Sequence, residues 1–143
     1  VRFIEMMPIG LGKEWSGIRE EKIKEILENR FGKSSSFNGV LGNGPGHYIS
    51  FEGFQGKIGF ISAVSHKFCS SCNRIRLTSQ GFLKSCLQYD IGADLRTPLR
   101  EGASEEEMQQ LIIETIEKKP EGHIFGLESG SNREQRIMSQ IGG

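Results

Sequence analysis

Cys69-Ser70-Ser71-Cys72-Asn73-Arg74-Ile75-Arg76-Leu77-Thr78-Ser79-Gln80-Gly81-Phe82-Leu83-Lys84-Ser85-Cys86 is the stretch on which the reading of this chain turns. It contains all 3 cysteines, spaced C-x2-C-x13-C. Asn73 to Thr78 and Phe82 to Leu87 have strand character, and Ser79-Gln80-Gly81 between them reads as a turn. A hairpin about Gln80 brings Cys86 back beside Arg74, a residue or two from Cys72. The long spacer is therefore a device that returns the third thiol to the first two. Strand alternation sets Cys72, Arg74 and Arg76 on one face and turns Ile75 and Leu77 to the other.

Three thiolates are one short of a closed tetrahedral set. Either a non-cysteine ligand completes a structural zinc site, or an iron–sulfur cluster keeps one position open to a substrate. His66-x2-Cys69-x2-Cys72-x13-Cys86 supplies a HisCys3 zinc set with sensible spacing, and spacing alone does not separate the two. A deaminase zinc site is disfavoured, because its H-x-E and P-C-x-x-C signatures are absent. Two guanidiniums beside a metal centre, Arg74 and Arg76, make an anion site in which each fork can hold a phosphate. The plainer alternative is a solvated strand face.

Composition fits a globular domain with its own core: 143 residues, 36% hydrophobic and 25% charged. An odd cysteine count argues against a disulfide framework. Neither a leader peptide nor a run of about 18 apolar residues is present, which predicts a cytoplasmic protein with no membrane partner. Lys and Arg number 18 and Asp and Glu 18, so no global attraction to nucleic acid is indicated.

Working outward, Val1 to Met7 reads as a strand stopped by Pro8, an edge lacking its neighbours. Ser16 is positioned to cap a helix over roughly Ile18 to Phe31, with Ile23, Ile26, Leu27 and Phe31 on one face and Gly32 as the stop. Residues 32–46 read as a long loop. Tyr48 to Phe51 and Lys57 to Ala63 read as strands about Gly53-Phe54-Gln55-Gly56. Ser104-Glu105-Glu106-Glu107 is a capping box for a second helix, striped by Met108, Leu111, Ile112, Thr115 and Ile116 and ended by Lys118-Lys119-Pro120.

Gly59-Phe60-Ile61-Ser62, Phe68-Cys69-x2-Cys72-Asn73-Arg74-Ile75-Arg76-Leu77-Thr78 and Gly81-x-Leu83-x2-Cys86-Leu87 resemble the C-terminal part of the GTP 3′,8-cyclases. These are radical S-adenosylmethionine enzymes of molybdenum cofactor biosynthesis. Arg2 to Pro8, Gly44-Pro45 with Tyr48, Leu99-Arg100-x-Gly102, Lys119-Pro120-x2-His123 and the final Gly142-Gly143 extend the resemblance over the whole chain. It implies an α+β fold: the closing part of an incomplete α/β barrel, an antiparallel hairpin region for a cluster, and two main helices, all in one C-terminal portion spanning 1–143. It implies a [4Fe–4S] cluster on Cys69, Cys72 and Cys86, with the fourth iron open to the purine of GTP. Arg74, Ile75, Arg76 and Arg2 resemble GTP contacts, and Met7 an S-adenosylmethionine contact. Gly142 and Gly143 resemble a tail that enters the active site. The family's C-x3-C-x2-C motif is not in this sequence. The expectation is thus a fragment, inactive alone, whose partners are GTP and the N-terminal half of the same enzyme, with a homodimer as a further assembly. The rival is a noncatalytic zinc-stabilised binding module, in which His66 is a ligand.

Overall fold

The computed structural model describes residues 1–39, 41–125 and 134–141. It divides into two compact units: Val1–Met7 with Glu14–Cys72, and Pro8–Lys13 with Asn73–Gly143.

The first unit is a four-stranded sheet with a helix. Its strands are β1 (Arg2–Ile4), β2 (Ser35–Phe37), β3 (His47–Ser50) and β4 (Ile58–Ile61), in the order β1-β4-β3-β2. β3 pairs antiparallel with β4 and with β2, while β1 runs parallel to β4. The N-terminal strand is therefore paired along one side, Arg2 against Gly59 through Ile4 against Ile61, and not the orphan the sequence suggested. β2 lies in the segment read as loop. Its Ser-Ser-Phe carries little strand propensity and is ordered by pairing with β3.

Helix α1 (Glu20–Phe31) starts two residues later than expected. Ser16 does not cap it; Arg19 occupies the cap position without a side-chain bond, and two glutamates in the first turn complement the dipole. Gly32 ends it at φ 85°, a left-handed conformation that favours glycine. Of the expected stripe, Ile23 and Leu27 pack with Phe3 and Ile58 on a core of Ile49, Phe51 and Phe60. Ile26 lies half exposed, and the Phe31 ring meets Phe51 and Phe54 edge-on.

In the second unit β5 (Arg76–Leu77), β6 (Phe82–Lys84) and β7 (Gly92–Asp94) form an antiparallel sheet in chain order. The hairpin register is the expected one, Arg76 against Lys84 and Leu77 against Leu83, though its ladder is shorter than the apolar runs implied. Gly81 closes the turn at φ 82°, where its N–H donates to the Thr78 carbonyl. β7 has no strand signature in sequence. Its Gly92 is needed for close approach, because a Cβ there would sit 2.0 Å from the Leu83 carbonyl oxygen.

Two helices follow. The short α2 (Arg96–Arg100), not foreseen, is started by the Asp94 carboxylate, which accepts from the N–H of Arg96 and from the Thr97 hydroxyl. α3 (Glu105–Glu117) has the full reciprocal capping box between Ser104 and Glu107 and packs on β6 and β7. Met108, Leu111, Ile112 and Thr115 turn inward, whereas Ile116 lies 41% exposed. The fold is thus mixed α+β, with three α-helices, two sheets and no closed barrel among the described residues.

Candidate functional site

Cys69 and Cys72 lie at the start and just past the end of a 3-10 turn, Cys69–Ser71, closed by the Cys72 N–H on the Cys69 carbonyl at 3.1 Å. Such a turn points two side chains spaced i, i+3 the same way. Both thiols are half-buried, as is Cys86, which follows β6 by two residues. Among the described residues no group of three or more His, Cys, Asp or Glu side chains is placed to hold a metal ion. The donor set itself, three thiols and no fourth cysteine in the chain, fits a cluster with one non-thiol position or a zinc site completed by a non-cysteine ligand.

Two carboxylates brace the loop that leads to these cysteines. Glu5, just after β1, accepts from the N–H groups of Val64 and Ser65 at 2.8 and 2.9 Å. Burial works against its ionisation, but the Ser65 and Val64 donors outweigh it and hold the Glu5 carboxyl below its ordinary value. Glu20, at the start of α1, accepts a very short bond from the Ser62 hydroxyl and pairs with His47 Nε2 at 2.6 Å. Neither glutamate is distinguishable in sequence from a solvated charge. Their partners are backbone, hydroxyl and imidazole groups tens of residues away, and no local motif encodes that.

His66 belongs to this brace. Its Nδ1 stands 3.6 Å from Glu20 and its Nε2 3.5 Å from Glu21, so both ring nitrogens face carboxylates.

The β5–β6 ladder ends with Arg76 against Lys84, two residues short of Arg74 on one arm and of Cys86 on the other. Arg76 is half-buried on β5; Arg74 precedes the strand and is exposed. Because residues 73–75 lie outside the ladder, the expected alternation of Cys72, Arg74 and Arg76 along one strand face is not set by strand geometry: the described strand holds only Arg76 and Leu77. Ile75 and Leu77 are both exposed, at 45% and 58%. Lys119, just past the end of α3, anchors this irregular segment by donating its ammonium to the Arg74 carbonyl at 2.9 Å.

Arg2 is exposed on β1, and its Nε donates to the Tyr48 hydroxyl at 3.0 Å. Met7 is half-buried just beyond the same strand. Gly142 and Gly143 lie outside the described residues.

Fold and site define an α+β module built around a cysteine-bearing hairpin with arginines on its first arm. The family model described as Molybdenum Cofactor Synthesis C matches residues 1–125, and the chain belongs to that family. It is 46% identical over 143 residues to a GTP 3′,8-cyclase of Clostridium perfringens (strain SM101 / Type A). It is 45% identical over 146 residues to a protein of the same name from Desulforamulus reducens, and 42% identical over 146 to one from Heliobacterium modesticaldum. Each alignment covers 100% of this chain and 44% of the relative, so the chain spans less than half the length of the relatives it matches. No described helix is long and apolar enough to cross a membrane.

Proposed function

We propose that the chain is the cluster-bearing, GTP-holding part of a GTP 3′,8-cyclase, a lyase of molybdenum cofactor biosynthesis, and that it is inactive without the portion carrying the radical-generating cluster. Residues 1–143 form one C-terminal portion in this reading. Its parallel β1–β4 pair at a sheet edge, with Val1 and Ile4 exposed on β1's flank, suits the last strands of a partial α/β barrel. A cytoplasmic setting with the N-terminal half, and with a second copy in a homodimer, follows from the same reading.

Cys69, Cys72 and Cys86 would hold a [4Fe–4S] cluster as thiolates. When bound, that group supplies an open iron for the purine of GTP; S-adenosylmethionine, touched by Met7, supplies the radical. The chain's own residues bind and orient. Arg74 and Arg76 offer planar forks to the triphosphate, Ile75 an apolar surface, and Arg2 a further guanidinium. Gly142 and Gly143 would reach the site as a tail without side chains. Fixing base and phosphates at separate points limits where the ribose can lie, a positioning contribution to catalysis.

The observation that carries this reading is the β5–β6 hairpin, which pairs Arg76 with Lys84, two residues before Cys86, and so supports an anion site near the third thiol. His66 has carboxylate neighbours on both ring nitrogens, which favours a bracing role over ligation.

Anaerobic purification with iron, sulfide and zinc analysis tests the reading. The wild-type chain should be brown with broad visible absorption. Cys69→Ser, Cys72→Ser and Cys86→Ser should each lose iron, whereas His66→Ala keeps it. A colourless protein with stoichiometric zinc, lost equally in His66→Ala, would establish the zinc module instead.

A further inference from the structure

Lys84 is the anomaly of the second unit. It sits on β6 between Leu83 and Ser85 with no exposed surface. A buried ammonium is tolerated only when its protons are taken up and its charge is met. Its protons are met by the Tyr89 carbonyl at 2.8 Å and, through a very short contact, by the carboxylate of Glu134, itself only 3% exposed. Asp90 Oδ1 stands 3.7 Å away.

Glu134 lies 50 positions further along the chain. Its carboxylate also accepts from Arg136, whose guanidinium reaches on to Asp90 and lies over the Phe82 ring, 5.3 Å from its centroid. The Glu134 N–H donates to the Gln88 carbonyl at 2.7 Å. Five residues beyond Arg136, Ile141 is fully buried. Ile137, between them, packs so closely on Gly10 that a Cβ there would come within 3.1 Å of its Cα. Segment 134–141 is thus held by a polar staple at one end and an apolar plug at the other. It makes almost no regular structure of its own beyond the 3-10 turn Met138–Gln140.

We infer that Lys84 is a positioning residue: its buried ammonium seats the C-terminal segment Glu134–Ile141 on the β5–β6–β7 sheet that leads into Cys86. Arg136 cannot do this through Glu134, because that contact is local to the segment. Beside the backbone bond from Glu134 to Gln88, the ion pairs that cross to the segment among the described residues are Lys84 to Glu134 and Asp90 to Arg136, and of these two only the first is buried on both sides. Without the ammonium, the Glu134 carboxylate keeps only Arg136 of its own segment and loses the buried cation that faces it from the sheet. The segment then leaves as a unit, while the sheet and α3 keep their own packing. The seat stands on this geometry; its use, holding the chain's last residues at the site, rests on the reading given under Proposed function.

Amide hydrogen exchange on the chain tests it. In Lys84→Met the amides of Glu134, Gln140 and Ile141 should exchange at least about 10-fold faster, at about 1.4 kcal/mol per tenfold, because the buried ion pair that ties the segment to the sheet is broken while Arg136 still meets the carboxylate. Those of α3, such as Thr115, should stay within about 3-fold, because local opening does not require global unfolding. The double variant Lys84→Met with Glu134→Met should restore protection, since an apolar pair replaces the broken ion pair while Arg136 keeps Asp90. Uniform acceleration across the chain, or a segment as protected in Lys84→Met as in wild type, overturns the inference. If Lys84→Met does not fold, the double variant must, and Glu134→Gln, which takes the counter-charge from the ammonium, must loosen the segment alone; failure of either overturns it. Loss of catalysis in the whole enzyme on changing only Gly142 and Gly143, with exchange unaltered, supports the tail's role separately. Intact catalysis there strikes that role and leaves the seat standing.

Discussion

Arg2 and Tyr48 meet across the bare Cα of Gly59. The Arg2 Nε donates to the Tyr48 hydroxyl at 3.0 Å, and the guanidinium carbon lies 5.9 Å from the centre of the Tyr48 ring. Gly59 on β4 is in register with Arg2 on one side and Tyr48 on the other. A Cβ at Gly59 would come within 2.6 Å of the tyrosine ring and 3.1 Å of the arginine side chain. The glycine therefore exists for cross-strand packing, since its neighbours fill the place of its side chain.

Gly59→Ala should consequently separate this pair and cost about 1–3 kcal/mol, the range for overfilling a packed site. Urea denaturation of wild type and variant measures it. A midpoint unchanged at equal slope would mean that the sheet accommodates the methyl. The same variant should weaken any anion contact made by Arg2, because the Tyr48 bond no longer fixes its guanidinium.

The arginines of the hairpin arm give a second prediction. Each charged phosphate contact is worth about 1.5–3 kcal/mol when partly desolvated. Arg76→Ala in the whole enzyme should weaken GTP binding roughly 10- to 100-fold, at about 1.4 kcal/mol per tenfold. Iron content should not change, because arginine is no ligand. Arg74→Lys should also weaken binding, since a point charge does not reproduce the fork. Lys119→Met should act in the same direction but more weakly, by releasing the backbone of Arg74 from its 2.9 Å anchor. Titration of GTP against cluster-loaded protein decides it; equal affinities in all four proteins would sink the clamp.

A third prediction isolates α3. Ser104 accepts from the Glu107 N–H at 3.2 Å, and Glu107 accepts from the Ser104 N–H at 2.7 Å. Ser104→Ala removes one half of this reciprocal pair and should cost about 0.5–2 kcal/mol. Thermal denaturation by circular dichroism checks it, and Ser104→Asp should retain most of the stability because aspartate caps as well.

The capping box was legible because it is local: two residues three apart satisfy each other. The hairpin register was legible for the same reason, a turn with strands either side. What stayed hidden depends on distant partners. β1 reads as an orphan until β4 is folded beside it, and β2 has only Phe37 as a strand-forming residue. Lys84 did carry a signal, a single charge at an inward position of an apolar strand run. Its meaning required Glu134, however, and nothing in one sequence couples positions 84 and 134. The three thiols were conspicuous in the sequence by their spacing. Their companions Glu5 and Glu20 were not, because a carboxylate that braces a loop looks like any surface acid.

The pH dependence of the C-terminal seat follows from Glu134. Burial pushes its carboxyl up, but the Arg136 guanidinium and the Lys84 ammonium prevail and hold it down at about 2. In the unfolded chain the group titrates near its ordinary value of 4.5. A carboxyl depressed in the folded state stabilises the fold above the unfolded pKa, and that contribution fades as pH falls through the folded one. Glu134→Gln should therefore be clearly less stable than wild type at pH 7, and by the same amount down to about pH 5. Between 4.5 and about 2 the gap should narrow steadily, as the wild-type carboxylate takes up its proton and comes to resemble the amide. Denaturant melts of both proteins across that range give the difference directly. A gap that widens on acidification would mean a raised carboxyl, and with it a Lys84–Glu134 contact that is not an ion pair.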